Sequence, residues 1–267
     1  MITKLSKQNM LNNIKDKDER MKYSNVIDKC NRCEASLKIT ATSFLDLNEV
    51  KNITSFLNRE NVKYTTFYAN EYCEKATIFF LPEYMEQENI DYEDYISCIK
   101  ITAKDISKLR HKDFMGSIYS LGIKNEFLGD IFLMEKACYI FVNKSVEVYI
   151  ADNLFKVANQ EVICESVSLD SKEAKELKIE YITKSYIIPS RRVDALLAEV
   201  YSLSRKESKD KIVAGDLYIN AKECINPSEE FKDGDIISFR KCGKFKVGNE
   251  LRTTKSGNIC IDINKYK

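Results

Sequence analysis

The sequence contains no run approaching the roughly 20 apolar residues that a membrane-spanning helix needs, so no membrane partner is expected. Glycine is scarce, with 8 in 267 residues, and no two of them have GxG spacing. That excludes the Gly-rich loop after a strand by which a methyltransferase would hold its methyl donor, and no GxxxxGK[ST] phosphate loop is present either. Histidine occurs once, at position 111. The opening Met1-Ile2-Thr3-Lys4-Leu5 runs into polar helical sequence rather than a signal-peptide apolar core, which points to a cytoplasmic location. The 9 cysteines are odd in number and follow no framework spacing, as reduced thiols would. Only Cys30-Asn31-Arg32-Cys33 forms a CxxC, and no second pair completes the four ligands of a zinc site. Neither a metal nor a cofactor is expected.

What is present is a globular composition, 44% hydrophobic and 31% charged, in a chain long enough for two or three domains. The net charge of +1 is unevenly spread. Residues 182–267 hold 17 Lys+Arg against 12 Asp+Glu, a local +5, which leaves −4 on the remainder. A basic C-terminal third is a first, weak sign of a polyanion partner.

The pattern predicts an α+β protein in three parts. Residues 1–90 read as a small α+β domain. It opens with helices, one of them started by a capping box at Asp46-Leu47-Asn48-Glu49 and carrying the apolar stripe Val50, Ile53, Phe56 and Leu57. Strands at 62–69 and 76–81 follow, the second stopped by Pro82. Residues 91–172 read as β-α-β-β-α-β, the split βαβ or ferredoxin-like order, with strands at 95–103, 130–134, 138–142 and 161–169 and helices at 112–121 and 143–157. That order is shared by the RRM, which stacks bases on sheet aromatics; Tyr139 and Phe141 share a face of the third strand and are candidates for such contacts, although ordinary sheet packing explains them as well. A charged stretch at 170–181 reads as a linker or bridging helix, ahead of a third domain at 182–267.

In that third domain Ser190 occupies an expected N-cap position, and Val193, Leu196, Leu197 and Val200 form the buried stripe of a helix. Ser204-Arg205-Lys206-Glu207 is a second capping box, opening a helix that ends at Gly215 and sets Arg205 and Lys209 four apart on one side. Strands at 217–220 and 236–240 follow, the second after a turn at Asp233-Gly234. Arg191, Arg192, Arg205 and Lys206 fall in expected first turns, where the dipole favours anions and an exposed cation costs roughly 0.3–1 kcal/mol. Two helix starts enriched in cations resemble a phosphate site; an ordinary solvated basic face is the alternative.

Four blocks, Ser190-Arg191-Arg192-Val193-Asp194, Leu203-Ser204-Arg205, Gly215-Asp216-Leu217-Tyr218-Ile219-Asn220 and Asp233-Gly234-Asp235-Ile236-Ile237-Ser238-Phe239-Arg240, resemble the RNA-binding domain first seen in ribosomal protein S-four. The resemblance implies that two short helices and the adjoining loop grip structured RNA, through Arg191, Arg192, Arg205, Lys206, Lys209, Asn220, Lys222 and Arg240. It gives Asp194 the role of orienting an arginine. Lys211 departs from the family, which usually places an apolar residue there; its stem can snorkel.

Further upstream, Phe44-Leu45-Asp46, His111-Lys112-Asp113-Phe114-Met115-Gly116, Leu121-Gly122-Ile123 and Gly129-Asp130-Ile131 resemble the YlmH family of bacterial RNA-binding proteins over nearly the whole chain after about residue 20. Leu47, where the family often has Pro, and Lys112, where it has Arg, are mild departures. His111 and Lys112 are possible secondary RNA contacts, and a structural role at a helix start suits His111 equally. Catalysis there would need a partner base or nucleophile within reach.

The expected function is therefore RNA binding on the ribosome, with rRNA, tRNA and the large ribosomal subunit as partners of a monomer. The specific expectation is ribosome-associated quality control of stalled large subunits. A cell-division accessory acting through protein contacts is the alternative, and an RNA-modifying enzyme the second. No enzymatic activity is expected, because only a short tail follows Arg240, where a pseudouridine synthase would carry its catalytic domain.

Overall fold

Local signals start the helices. In the computed structural model, which describes residues 2–12, 14–255 and 257–266, Asp16 accepts the Glu19 N–H at 2.7 Å and opens the long helix α2 (Lys17–Ser36), which follows α1 (Lys4–Asn12). Asp46 and Glu49 form the reciprocal capping box at the head of α3 (Leu47–Arg59). Val50, Ile53, Phe56 and Leu57 are buried along that helix, each contributing roughly 1.5–3 kcal/mol of apolar burial. The three helices cover a small antiparallel sheet in the order β1 (Thr40–Ala41), β3 (Thr77–Phe80), β2 (Tyr64–Phe67), and their apolar faces make one core. Cys30 and Cys33 lie in it; burial pushes the Cys30 thiol up to about 12. Among the described residues no helix is long and apolar enough to cross a membrane.

The chain divides into two compact units, residues 1–178 and 179–267. The first contains a second core beside the one just described. Strands β4 (Ile96–Ala103), β5 (Leu128–Leu133), β6 (Cys138–Asn143) and β8 (Gln160–Val167), with the two-residue β7 (Lys156–Val157), form an antiparallel sheet ordered β5-β6-β4-β8-β7. Helix α4 (His111–Ser120) joins β4 to β5, and α5 (Lys144–Asn153) joins β6 to the β7–β8 hairpin. This is a split βαβ arrangement. Gly122, in the left-handed region at φ +82°, closes α4. The second helix is shorter than the sequence pattern suggests. It stops at Asn153, and the chain then turns through Ala158 at φ +50° so that Val157 pairs with Gln160. Leu154 and Val157 continue the apolar spacing of Ile150, but they fill the core from a hairpin. The short helix α6 (Lys172–Lys175) follows, and Ala174 and Leu177 are buried, so this charged stretch is anchored by apolar contacts that its composition conceals.

The second unit is a six-stranded antiparallel sheet in the order β11 (Lys222–Glu223), β10 (Leu217–Ile219), β12 (Ile236–Phe239), β13 (Gly243–Thr253), β14 (Ile259–Tyr266), β9 (Tyr181–Ile188). Helices α7 (Val193–Tyr201) and α8 (Arg205–Val213) share a core with Ile188, Phe239, Phe245, Val247, Ile261 and Ile263 of one sheet face. The segment after Arg240 is therefore no tail. β13 and β14 form its longest hairpin, and β14 pairs with β9 from Ile259–Ile188 to Tyr266–Tyr181. The in–out alternation of Phe245 and Val247 with Lys244 and Lys246 marks the strand locally.

Candidate nucleic-acid interface

Helix α7 begins at Val193, with Arg192 at its N-cap position and Ser190 two residues outside. The reason is tertiary. Val193 and Asp194 donate their N–H groups to the carbonyls of Glu229 and Pro227, and Phe231 donates to the carbonyl of Arg191, so residues 191–192 run extended beside 229–231. Arg191 and Arg192 accordingly precede the helix instead of filling its first turn, so they are not the first-turn cations that the sequence suggests. The acidic residue that the helix dipole favours is in place as Asp194.

Asp194 is fully buried and organises the cations around it. Arg192 donates from Nε to Oδ1 at 3.0 Å and from Nη2 to Oδ2 at 2.8 Å, a bidentate pair. Lys209 brings Nζ to 3.9 Å of Oδ2, and the guanidinium of Arg205 also acts on the carboxylate. The Arg192 hydrogen bonds hold the Asp194 carboxyl below the usual carboxylate range. The buried Ser208 hydroxyl donates to the Asp194 carbonyl at 3.0 Å and ties α8 to α7. Asp194 is thus the orienting acid that the sequence suggested, with Arg192 as the arginine it holds.

Helix α8 does carry cations in its first turn. Ser204 caps it and Glu207 returns the bond to the Ser204 N–H, which leaves Arg205, Lys206 and Lys209 exposed. Lys211, one turn on, is half-buried and holds Nζ over the Phe239 ring, 6.0 Å from the centroid. Arg240 is exposed and donates to the Tyr218 hydroxyl at 3.2 Å, and Lys222 is exposed where the β10–β11 turn ends.

Two candidates have structural work instead. Arg191 donates to Asp233 and to Glu250, both at 2.8 Å, and stacks over Phe231, so it ties the approach to α7 to the 233–234 turn and to β13. Asn220, at φ +50°, donates to Asp235 at 2.8 Å and accepts from the Ile236 N–H at 2.9 Å, which holds the turn between β10 and β11. The partners lie 15 to 59 residues away in sequence, so neither role was visible from local pattern.

In the first unit, His111 and Lys112 are exposed in the opening turn of α4, whose start is fixed by the Arg110 N–H donating to Asp113 at 2.8 Å. Tyr139 and Phe141 do share a sheet face, but it is a covered one. Phe141 is fully buried, edge-on to Phe132 and beside Phe44, and Tyr139 donates its hydroxyl to Glu173. The cover comes from α6 and from the N-terminal layer. Phe44 donates its N–H to the Glu126 carbonyl, Glu74 and Lys75 donate theirs to Asp130, and Lys75 Nζ reaches the Leu128 carbonyl at 2.7 Å. The expected stacking of bases on Tyr139 and Phe141 is corrected accordingly: both rings are used in packing. Among the described residues no group of three or more His, Cys, Asp or Glu is placed to hold a metal ion.

Residues 87–171, which span the β4–β8 sheet with α4 and α5, match the family model described as "Putative RNA-binding domain in YlmH". A curated relative is the ribosome-associated protein quality control protein P2 of Bacillus subtilis (strain 168), 23% identical over 180 residues, which are 67% of this chain and 69% of that protein. Among solved structures, the cell division protein ylmH from Streptococcus pneumoniae is similar at a TM-score of 0.49 and 20% identity, over 59% of this chain and 95% of that one.

Proposed function

We propose that the chain is a non-enzymatic RNA-binding protein that acts on the ribosome, with the basic face of α8 as its principal phosphate contact. The carrying observation is that Arg205, Lys206 and Lys209 stand exposed on α8, with Arg205 and Lys209 facing the buried carboxylate of Asp194, which attracts them without removing their charge from solvent. Lys222 and Arg240 are further exposed cations of the same unit, and Arg192 pairs with the same carboxylate. Support for RNA comes from the family matched by residues 87–171, and support for the ribosome from the name of the Bacillus relative.

The finer reading is a cytoplasmic monomer that engages rRNA and tRNA on stalled large subunits in quality control. The S-four-like blocks of the second unit suit such structured RNA, which is recognised mainly through phosphate and shape. Sedimentation through a sucrose gradient tests this, with the wild type and Arg205→Ala/Lys206→Ala each mixed with small or large subunits. Wild type should travel with large subunits and the double variant should stay at the top. Wild type remaining at the top in low salt, or travelling only with small subunits, would sink the reading.

A further inference from the structure

The first unit contains a discrepancy. Its β4–β8 domain matches an RNA-binding family, yet the sheet face with Tyr139 and Phe141 is covered from within the same unit. The remaining broad face is the helix layer. Along α4, Lys112, Gly116 and Tyr119 recur at i, i+4 and i+7 and are all exposed, one stripe on the outer side of the helix. Tyr119 is 42% exposed, and Tyr149, on α5, 49%. Tyr119 donates its hydroxyl to Asn125 at 3.1 Å, and Tyr149 donates its own to the Leu121 carbonyl at 3.4 Å. With both hydroxyls turned onto the protein, the surface the two residues offer is aromatic ring.

The other end of the stripe, at the start of α4 and in the segment before it, is basic. Lys104, Lys108, Arg110 and Lys112 are exposed within nine residues, and Asp105, bonded to Lys108 at 2.7 Å, is the acid among them. Asp113 is occupied by the Arg110 N–H.

Gly116 adds an observation of a different kind. A glycine in a helix interior weakens the helix relative to alanine. Its backbone here is outside the positive-φ glycines, and a Cβ added to it would meet nothing within 4 Å, so no crowding within the chain calls for it. The absent side chain leaves bare helix backbone between a cation and an aromatic ring.

We infer that this stripe is an RNA-docking surface. A phosphate backbone passes over Gly116 near Lys112, Arg110 and Lys108, while an unpaired base stacks on Tyr119 or Tyr149. Cations interleaved with ring faces are the chemistry of sequence-tolerant single-strand binding. Charge complementarity favours RNA as the occupant. The inference rests on the reading of the chain as an RNA-binding protein.

Fluorescence anisotropy of the full chain with a labelled RNA hairpin carrying an unpaired loop, at low salt, tests it. The variants are Gly116→Gln, which fills the bare site, Gly116→Ala as a milder form, Tyr119→Ala/Tyr149→Ala, and Arg205→Ala/Lys206→Ala on α8 as a comparison. Both Gly116 variants should keep or raise the melting temperature. Gly116→Gln and the tyrosine pair should each lower affinity by about ten-fold, within the range expected for loss of a stacked base. Gly116→Gln and the tyrosine pair binding within about two-fold of wild type, while the α8 variant binds weakly, overturns this surface and leaves RNA binding standing. A wild type that fails to bind the hairpin at all overturns both.

Discussion

At Gly129 of β5 the N-terminal layer lies close against the second sheet. A Cβ built there would lie 2.8 Å from Cε1 of Phe44, closer than real contacts allow, and 3.0 Å from Cβ of Phe141, tighter than most. Phe44 and Phe141 are 4% and 0% exposed, so neither can swing into solvent. Two effects oppose each other in Gly129→Ala. Replacing a strand glycine removes unfolded-chain entropy and stabilises by about 0.5–1 kcal/mol. Overpacking a filled site destabilises by about 1–3 kcal/mol. The clash should win, because the atoms that must move are a buried ring edge and a Cβ on the neighbouring strand. For a unit of this size the net loss corresponds to a fall of several degrees in Tm, at about 2–4 °C per kcal/mol. Calorimetry of the full chain should show that shift. In a Phe44→Leu background the alanine should be tolerated better, with a coupling on the order of 0.5–3 kcal/mol. An alanine variant that melts at or above wild type, with no coupling to position 44, would refute the close approach and with it the covered sheet face.

In RNA binding, Arg205→Ala/Lys206→Ala should flatten the plot of log affinity against log salt by about 1.4–1.8, the share of two phosphate contacts; an unchanged slope would remove those side chains from the interface. The two units should respond oppositely to acid. Asp194 has a folded pKa depressed by Arg192, so its contribution is complete above about pH 4 and is lost as pH falls through the depressed value. Asp130 has a folded pKa raised by burial, so stability of the first unit declines as pH rises from about 4 to that raised value. Urea midpoints from pH 2.5 to 7, for wild type, Asp194→Asn and Asp130→Asn, should show each variant losing its own slope; parallel pH profiles for all three would contradict both assignments. Cys30 and Cys98 are buried with thiols pushed up to about 12, so a disulfide-exchange reagent should modify them only on unfolding. Rapid labelling of either in the native protein would show that the core opens.

The features legible in the sequence were those set by near neighbours. The capping boxes at Asp46–Glu49 and Ser204–Glu207, the stripe of α3, and the stop at Gly122 all involve residues within a turn or two of each other. The cations of α8 were legible for the same reason. What escaped depends on distant partners. Ser190 had the right chemistry for a cap, yet pairing of residues 191–192 with 229–231 moved the helix start to Val193. Arg191 was read as a phosphate ligand because Glu250, 59 residues on, could not be placed beside it. The rings of Tyr139 and Phe141 look available in the sequence because α6 and the loop around Phe44 cover them from 34 or more residues away. β13 and β14 are marked locally by the alternation at 244–247 and by the turn at Gly257, whereas the pairing of β14 with β9 joins residues 71 to 85 apart and shows only in three dimensions.

The edge position of β9 beside β14 has a consequence for how the molecule is made. Thr183 bonds to Asn264, 81 residues later, and the whole edge of the sheet is zipped by pairs of that separation. Contacts so far apart form slowly, since the loop must close before any of them is rewarded. During synthesis, residues 181–188 and the helices behind them emerge long before residues 259–266 exist to pair with them. The second unit therefore spends that interval with Ile188 and the apolar faces of α7 and α8 lacking Ile261 and Ile263.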